Sequence, residues 1–379
     1  MRVDYNVAIK KGRILEIERI ERSFETINYL VKKKAKVILM SHLGSPEGKY
    51  VKDLSLKPVA YYLDSQAKKK VTFVNDCVGE QVKSQVKKLK PGQILLLENL
   101  RFHPGEEKND AKFAQELASL ADIYVNEAFS VCHRAHASVS AITKYLPAYA
   151  GFNLADEVEN LSQLLKGFKR PAIAIIGGVK ISTKIKVIAN LLLRYDYVLV
   201  GGALANNFLA AKKINIGKSV WEKDYLKLTR DLLEKSKGRL VLPVDVRIAS
   251  RIKAGNEAKP VSVSGLNKLV SKKWQIVDIG PKTEFYFESL IHKSKTLVWN
   301  GPMGVFEIPG FSHGTDFICQ KVCQHAKGSA FGVVGGGETI AVLEKLKLKN
   351  WPDFVSTAGG AMLEFLEGKV LPGIKPLMK

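Results

Sequence analysis

The sequence predicts an α/β protein of two doubly wound, parallel-sheet (Rossmann-like) lobes joined by a helix and hinge. Three observations carry the prediction. Short β-branched apolar runs recur, each followed by a turn of Gly, Ser, Asn or His and then a longer helical pattern, which is the rhythm of a parallel sheet covered on both faces. Two series of such units are separated by the segment 152–167. The chain has 379 residues and 46% hydrophobic content, enough for two cores of ordinary domain size.

In the first series the strand candidates are 36–41 (KVILMS), 71–74, 94–97 and 122–126. The segment 152–167 (FNLADEVENLSQLLKG) places Leu154, Val158, Leu161 and Leu165 at helical spacing before Gly167, a stop signal, so it reads as the joining helix. In the second series the candidates are 172–176, 197–200, 239–242, 275–278, 296–299, 331–334 and 354–355. The expected division is therefore 1–150 together with a C-terminal tail at about 365–379, a helix at 151–167, and 168–364. No low-complexity linker or short-period repeat is present, so the lobes are expected to be coupled by the helix rather than by a flexible tether.

Composition excludes several classes. No run of 18 or more apolar residues exists, and the first residues, MRVDYNVAIKKGR, lack the apolar middle of a secretory signal. A cytoplasmic location without membrane association is the default. Cys77, Cys132, Cys319 and Cys323 form no paired CxxC knuckles and read as small buried thiols. The 59 Lys and Arg against 37 Asp and Glu give a net charge of +22, a field that concentrates any anion: nucleotide, phosphorylated metabolite or nucleic acid. The lysine runs at 32–36, 68–70 and 81–90 read as solvated helix ends and turns. No aromatic RNA-binding box or zinc-finger spacing accompanies them, so no specific nucleic-acid partner is expected.

In open parallel sheets ligands bind beyond the carboxyl ends of the strands, so the chemistry is sought there. After 172–176 comes GGVKISTKIKVIANLL, in which Lys180 and Lys184, four apart, share one face of a starting helix. Two cations beside glycine-exposed amides suit a polyphosphate. Glycine turns recur at 201–202, at 335–337 before Glu338 and Thr339, and at 359–360. None is a Walker A loop: Gly217-Lys218-Ser219 lacks the glycine five positions earlier, and the G-x-G-x-x-G signature is absent. The first half instead offers Arg19, His42, Arg101, His133, Arg134 and His136, most of them just past strands. Guanidinium groups at strand ends suit a small, doubly charged anion. One lobe for a nucleotide and one for a small anion is the layout of a kinase.

The segments RVDYN (2–6), SHLG (41–44), SLKPVA (55–60), LLLENLRFH (95–103), HRAHAS (133–138), LPVD (242–245), DIGPKT (278–283), VWNGPMGVFE (298–307) and FLEGKVLPG (365–373) resemble the phosphoglycerate kinase family, in that family's order and over nearly the whole chain. The resemblance implies magnesium-dependent, reversible transfer from 1,3-bisphosphoglycerate to ADP, giving 3-phosphoglycerate and ATP, by a monomer. It implies that Asp4, Asn6, Arg19, His42, Gly44, Arg101 and Arg134 hold the phosphoglycerate on the N-terminal lobe. Lys180, Lys184, Glu307, Gly336, Gly337, Glu338 and Thr339 then serve the nucleotide on the other lobe, with Glu338 toward the metal. Arg19 and Lys184 are the expected catalytic cations, assisted by amides near Gly337 and Gly360, and lobe closure is expected to exclude water.

The chain departs from the family pattern at several positions. Ser45 stands where Arg is usual, a loss of about 1.5–3 kcal/mol of ligand binding unless another cation such as Lys49 substitutes. Glu338 replaces Asp, Thr183 replaces a common Asp, and Ala203 replaces Gly. The family has further residues ahead of RVDYN, so the N-terminal sheet is expected to lack a strand and expose an edge, with Asp4 and Asn6 the least securely held. Ser45 leaves room for another acyl-phosphate or small-carboxylate kinase. The charge of +22 is the feature behind a nucleic-acid-binding alternative, and the short N-terminus the feature behind an inactive scaffold.

Overall fold

The computed structural model describes residues 1–10, 12–66, 70–269, 271 and 273–378, so Lys68 and Lys69 of one lysine run lie outside the described residues. The chain divides into two compact units, Met1–Glu159 with Val370–Lys379, and Asn160–Lys369.

In the first unit the strands Val71–Phe73, Ile94–Leu96 and Val37–Leu39 pair in parallel in that spatial order, and Tyr124–Asn126 pairs in parallel with Ala148–Ala150. The run ILLL at 94–97 shows why these residues make a central strand. Ile94 and Leu96 pack into one core with Val37, Leu39, Val59 and Leu63, while Leu95 and Leu97 pack into another with Val82, Phe113 and Leu117. Side chains alternate along a strand, so an uninterrupted apolar run is what a sheet covered on both faces requires.

The expected gap at the N-terminus is filled. Arg2 bridges in parallel to Met40 on one side and to Asn126 on the other. Its N–H donates to Val125 O at 2.8 Å, Val3 N donates to Met40 O at 3.0 Å, and Met40 N donates to Met1 O at 3.0 Å. Three residues with backbone bonds on both sides thus link the two groups of strands, and no interior edge opens. The strand at 148–150 and a short hairpin, Ile9–Lys10 with Arg13–Ile14, were not foreseen.

The second unit holds a six-stranded parallel sheet in the spatial order Leu240–Val241, Tyr197–Val200, Ala172–Ile176, Thr296–Asn300, Phe331–Gly335, Phe354–Ser356. Numbered along the chain this order is 3-2-1-4-5-6, so the winding reverses between the strands 172–176 and 296–300. A crevice opens at the carboxyl ends of the strands where the winding reverses, because the connections leave to opposite faces. The fully buried Trp299, Ile175, Leu297 and Val334 form the core beneath it.

One expectation fails here. The strand predicted at 275–278 is not in the parallel sheet: Gln275–Ile279 pairs antiparallel with Asp245–Ala249, which also pairs antiparallel with Lys259–Ser262. The last two strands carry Asp245, Arg247, Lys259 and Pro260, a polar pattern that masks them in the sequence. Pro260 is tolerated because its strand lies at the edge. The joining helix is also shorter than predicted. Phe152–Gln163 ends four residues before Gly167, and its buried stripe runs through Leu154, Glu157 and Leu161 rather than through Val158 and Leu165.

Candidate active site

In the first unit, the residues that follow four neighbouring strand ends line one pocket: Asp4 and Asn6 after the 1–3 segment, His42, Gly44 and Ser45 after 37–39, Arg101 after 94–96, and Ser130, His133 and Arg134 after 124–126. Arg19 completes it from the helix Glu18–Glu21. All seven residues expected to bind the small anion are therefore together. Lys49 is not among the lining residues, so no cation from that position replaces the arginine missing at Ser45.

Asp4 is held firmly, contrary to expectation. Its carboxylate accepts from the Arg19 guanidinium, from Ser130 Oγ at 2.6 Å and from Asn6 N at 3.1 Å. Asn6 Oδ1 accepts from Gly44 N at 2.9 Å, and Arg101 donates to Gly44 O at 2.7 Å and to Ser45 Oγ at 3.4 Å. Arg101 also lies 3.0 Å from Glu107. Arg19 and Arg101 thus meet the pocket through bonds that set their direction before a ligand arrives.

His42 is buried, and burial together with the nearby Arg2, Arg101 and Arg134 charges pushes its pKa well below the ordinary value. It is therefore neutral at physiological pH. Arg2, fully buried, approaches His42 Nδ1 at 3.1 Å, and a guanidinium can only donate, so Nδ1 accepts and the proton sits on Nε2. His42 thus faces the pocket as a neutral donor. Ser130 and Arg2 were missed in the sequence: Arg2 lies within a recognised segment, but nothing marks it as buried.

In the second unit the switch point between 172–176 and 296–300 is closed by glycine turns packed backbone to backbone. Gly177 N donates to Asn300 O at 2.9 Å, Gly178 N to Pro302 O at 2.9 Å, and Gly202 N to Met303 O at 2.8 Å. These amides are committed, so they are not the free phosphate donors the sequence suggested. A Cβ on Gly177 would lie 2.1 Å from Pro302 O and 2.6 Å from Gly301 O, both backbone atoms. Gly177→Ala is expected to cost on the order of 1–3 kcal/mol, read as a Tm several degrees lower in a calorimetric scan, with nucleotide binding weakened in parallel.

Lys180 and Lys184 do not share a helical face. A 3₁₀ turn, Ile181–Thr183, intervenes and the helix Ile185–Arg194 starts only at Lys184, its N-cap. The Ser182 N–H and Oγ are tied to Glu222 at 2.9 and 2.7 Å, which holds the turn tight. Lys180 is exposed, whereas Lys184 is buried, with Nζ donating to Gly177 O at 2.6 Å and lying 3.5 Å from Asn300 O. Burial lowers the Lys184 pKa from 10.5 to about 8, with Glu338 partly restoring it.

Beside this lysine lies a pocket walled by Val220, Ile252, Val277, Met303, Val305 and Phe306, with Glu307, Glu338 and Asp278 supplying carboxyl groups. Apolar walls with a few polar groups suit a flat heterocycle. Glu338 sits in the first turn of the helix Gly337–Lys345, where N–H groups have no partners within the helix. Gly336, at φ 98°, caps it in a conformation that side chains rarely adopt. Thr339 is fully buried and does not line the pocket; its Oγ1 accepts from Gly301 N at 2.8 Å, pinning the turn after strand 296–300. Two further lining residues were not singled out in the sequence, although Asp278 opens the recognised segment DIGPKT. Burial pushes Asp278 up to about 8, opposed by N–H donation from Gly314 and the charge of Arg247. Asn206 donates to Val220 O at 2.9 Å and leaves its buried Oδ1 without a hydrogen-bond partner among the described residues.

The family model for phosphoglycerate kinase matches residues 1–369. The chain is 47% identical over its full length to the phosphoglycerate kinase of Moorella thermoacetica, covering 95% of that protein. It is 46% identical over its full length to that of Pseudothermotoga lettingae, covering 94%. Among solved structures, the phosphoglycerate kinase of Coxiella burnetii superposes with a TM-score of 0.87 at 42% identity, over 99% of this chain and 94% of that one. The enzyme of Pyrococcus horikoshii gives the same TM-score at 32% identity, with the same coverage of each chain.

Proposed function

We propose how this chain works from the premise that it belongs to the phosphoglycerate kinase family. It is a glycolytic phosphotransferase that moves a phosphoryl group between 1,3-bisphosphoglycerate and ADP, giving 3-phosphoglycerate and ATP. The observation that carries the assignment of sites is that Asp4, Asn6, Arg19, His42, Gly44, Arg101 and Arg134 line a single pocket in the first unit. This pocket takes the phosphoglycerate, and the pocket beside Lys184 takes the nucleotide, with the base against the apolar wall.

In either direction the attacking group is already an oxyanion, so no general base is required. The protein's work is in-line positioning and the spreading of negative charge from the transferring phosphoryl group. Arg101 and Arg134 neutralise the phosphate and carboxylate of the phosphoglycerate, and neutral His42 donates a hydrogen bond. Arg19 supplies positive charge in the phosphoglycerate pocket and Lys184 beside the nucleotide pocket, each toward the phosphoryl group that its own substrate carries, and the first-turn amides after Gly336 receive nucleotide phosphate oxygens. Magnesium fits here, because Glu307 and Glu338 offer hard carboxylate oxygens in one pocket. When bound with the nucleotide it neutralises charge on the phosphates, and Glu338 is the residue that would hold it. The extra methylene of Glu338 lengthens that arm relative to the aspartate usual in the family. A cytoplasmic monomer is the form that the family resemblance supports for this activity.

Ser45 offers the direct test. It is exposed at the pocket rim beside Arg101, and Ser45→Arg adds a guanidinium there at the loss of only the long 3.4 Å bond from Arg101 to Ser45 Oγ. Calorimetric titration with 3-phosphoglycerate should show binding tighter by about ten- to a hundredfold, with ADP affinity unchanged. Equal affinity in variant and wild type would remove this pocket from the substrate assignment.

A further inference from the structure

Outside both pockets, one trio of potential metal ligands stands close together among the described residues: Asp76, Cys77 and His103, whose ligand atoms all lie within 4.8 Å of one another. Asp76 and Cys77 follow the strand Val71–Phe73, and His103 follows the 3₁₀ turn Leu100–Phe102 that carries Arg101. The two strands behind these loops are adjacent and parallel, which is what brings residues 26 positions apart in the chain to one place. Each ligand is also held in place by a second contact. The His103 ring stacks on Phe113 with centroids 4.9 Å apart and an interplanar angle of 23°, and its Nε2 lies 2.6 Å from Asp76 Oδ1. The same Asp76 oxygen accepts from Cys77 N at 2.6 Å, and Cys77 Sγ points at Glu98 O, 2.9 Å away.

We infer that Asp76, Cys77 and His103 form a binding site for one zinc-class divalent cation in the first unit. One thiolate, one imidazole and one carboxylate make a borderline-soft donor set that suits zinc, cobalt or nickel and not magnesium. Three protein ligands leave a fourth position for water or a small ligand. That position lies on the outer side, because Cys77 is fully buried while the side chains of Asp76 and His103 are 47% and 29% exposed. On binding, the Cys77 thiol gives its proton to solvent and loses its bond to Glu98 O. The imidazole carries its proton on Nδ1 and donates its Nε2 lone pair, so one proton is released per ion. The ion replaces the His103–Asp76 and Cys77–Glu98 hydrogen bonds with a three-point joint across the two loops, and so ties the turn that bears Arg101 to the loop after Val71–Phe73.

The test is titration of the full chain, stripped of metal, with Co²⁺. One equivalent should produce a strong near-ultraviolet sulfur-to-cobalt charge-transfer band that Zn²⁺ then displaces. Cys77→Ser and His103→Gln should each abolish the band, while Cys319→Ser leaves it unchanged. Zinc should raise the Tm of the wild type and not that of His103→Gln. His103 is half-buried, so that variant keeps the test decisive if Cys77→Ser fails to fold. The inference is overturned if the wild type gives no band, or if the band survives His103→Gln.

Discussion

Lys184→Ala is expected to lower kcat for ATP formation by about 10²–10³-fold, the loss typical of removing one preorganised donor from a developing oxyanion. Lys184 Nζ lies under the Gly177 and Asn300 carbonyls at the switch point of the sheet, with a Cβ position on Gly178 only 3.1 Å away. Its protonation carries a second signature. Burial lowers its pKa from 10.5 to about 8, so between those values the unfolded chain holds a proton that the folded chain does not. Stability therefore gains a contribution as pH rises from about 8 to 10.5, and Lys184→Ala should lack it. In the free enzyme the charge fades above about pH 8, so KM for the nucleotide should rise there. Steady-state kinetics from pH 6 to 10 and thermal melts of both proteins would show this. A folded variant with wild-type kcat would remove Lys184 from the mechanism.

Arg19→Ala should reduce kcat by a similar factor, about 10²–10³-fold, with a smaller effect on nucleotide KM. The guanidinium is paired with Asp4, whose carboxylate also takes Ser130 Oγ. Removing Arg19 therefore takes away a cation and leaves an unneutralised carboxylate facing an anionic substrate. This predicts non-additivity. Asp4→Asn in the Arg19→Ala background should recover part of the lost activity, whereas Asp4→Asn alone should cost activity by loosening Arg19. If the double variant is no better than Arg19→Ala, the carboxylate is not the source of the repulsion.

Much of the fold was legible because parallel strands buried on both faces must be continuous apolar runs, and 94–97 and 172–176 can be little else. The candidate site was legible in part: strands in a parallel sheet all end on one side, so His42, Arg101 and Arg134 at three predicted strand ends had to come near one another, whereas Asn6 follows a strand segment that the sequence analysis expected to be missing. The polar strands Asp245–Ala249 and Lys259–Ser262 were hidden because they pair in a small antiparallel sheet that needs no apolar run.

What the sequence alone determined was therefore the two-lobed α/β plan, the strand-end placement of His42, Arg101 and Arg134, and the family. What only the tertiary structure decided was how far each side chain is buried and which distant residues meet. Lys184 is buried and Lys180 exposed although they are four residues apart, Thr339 turns inward to hold Gly301, and Arg2 completes a sheet from three residues. Asp76, Cys77 and His103 converge from two loops. Local periodicity is set by backbone geometry within a few residues, whereas burial and convergence depend on close packing between segments far apart in the chain.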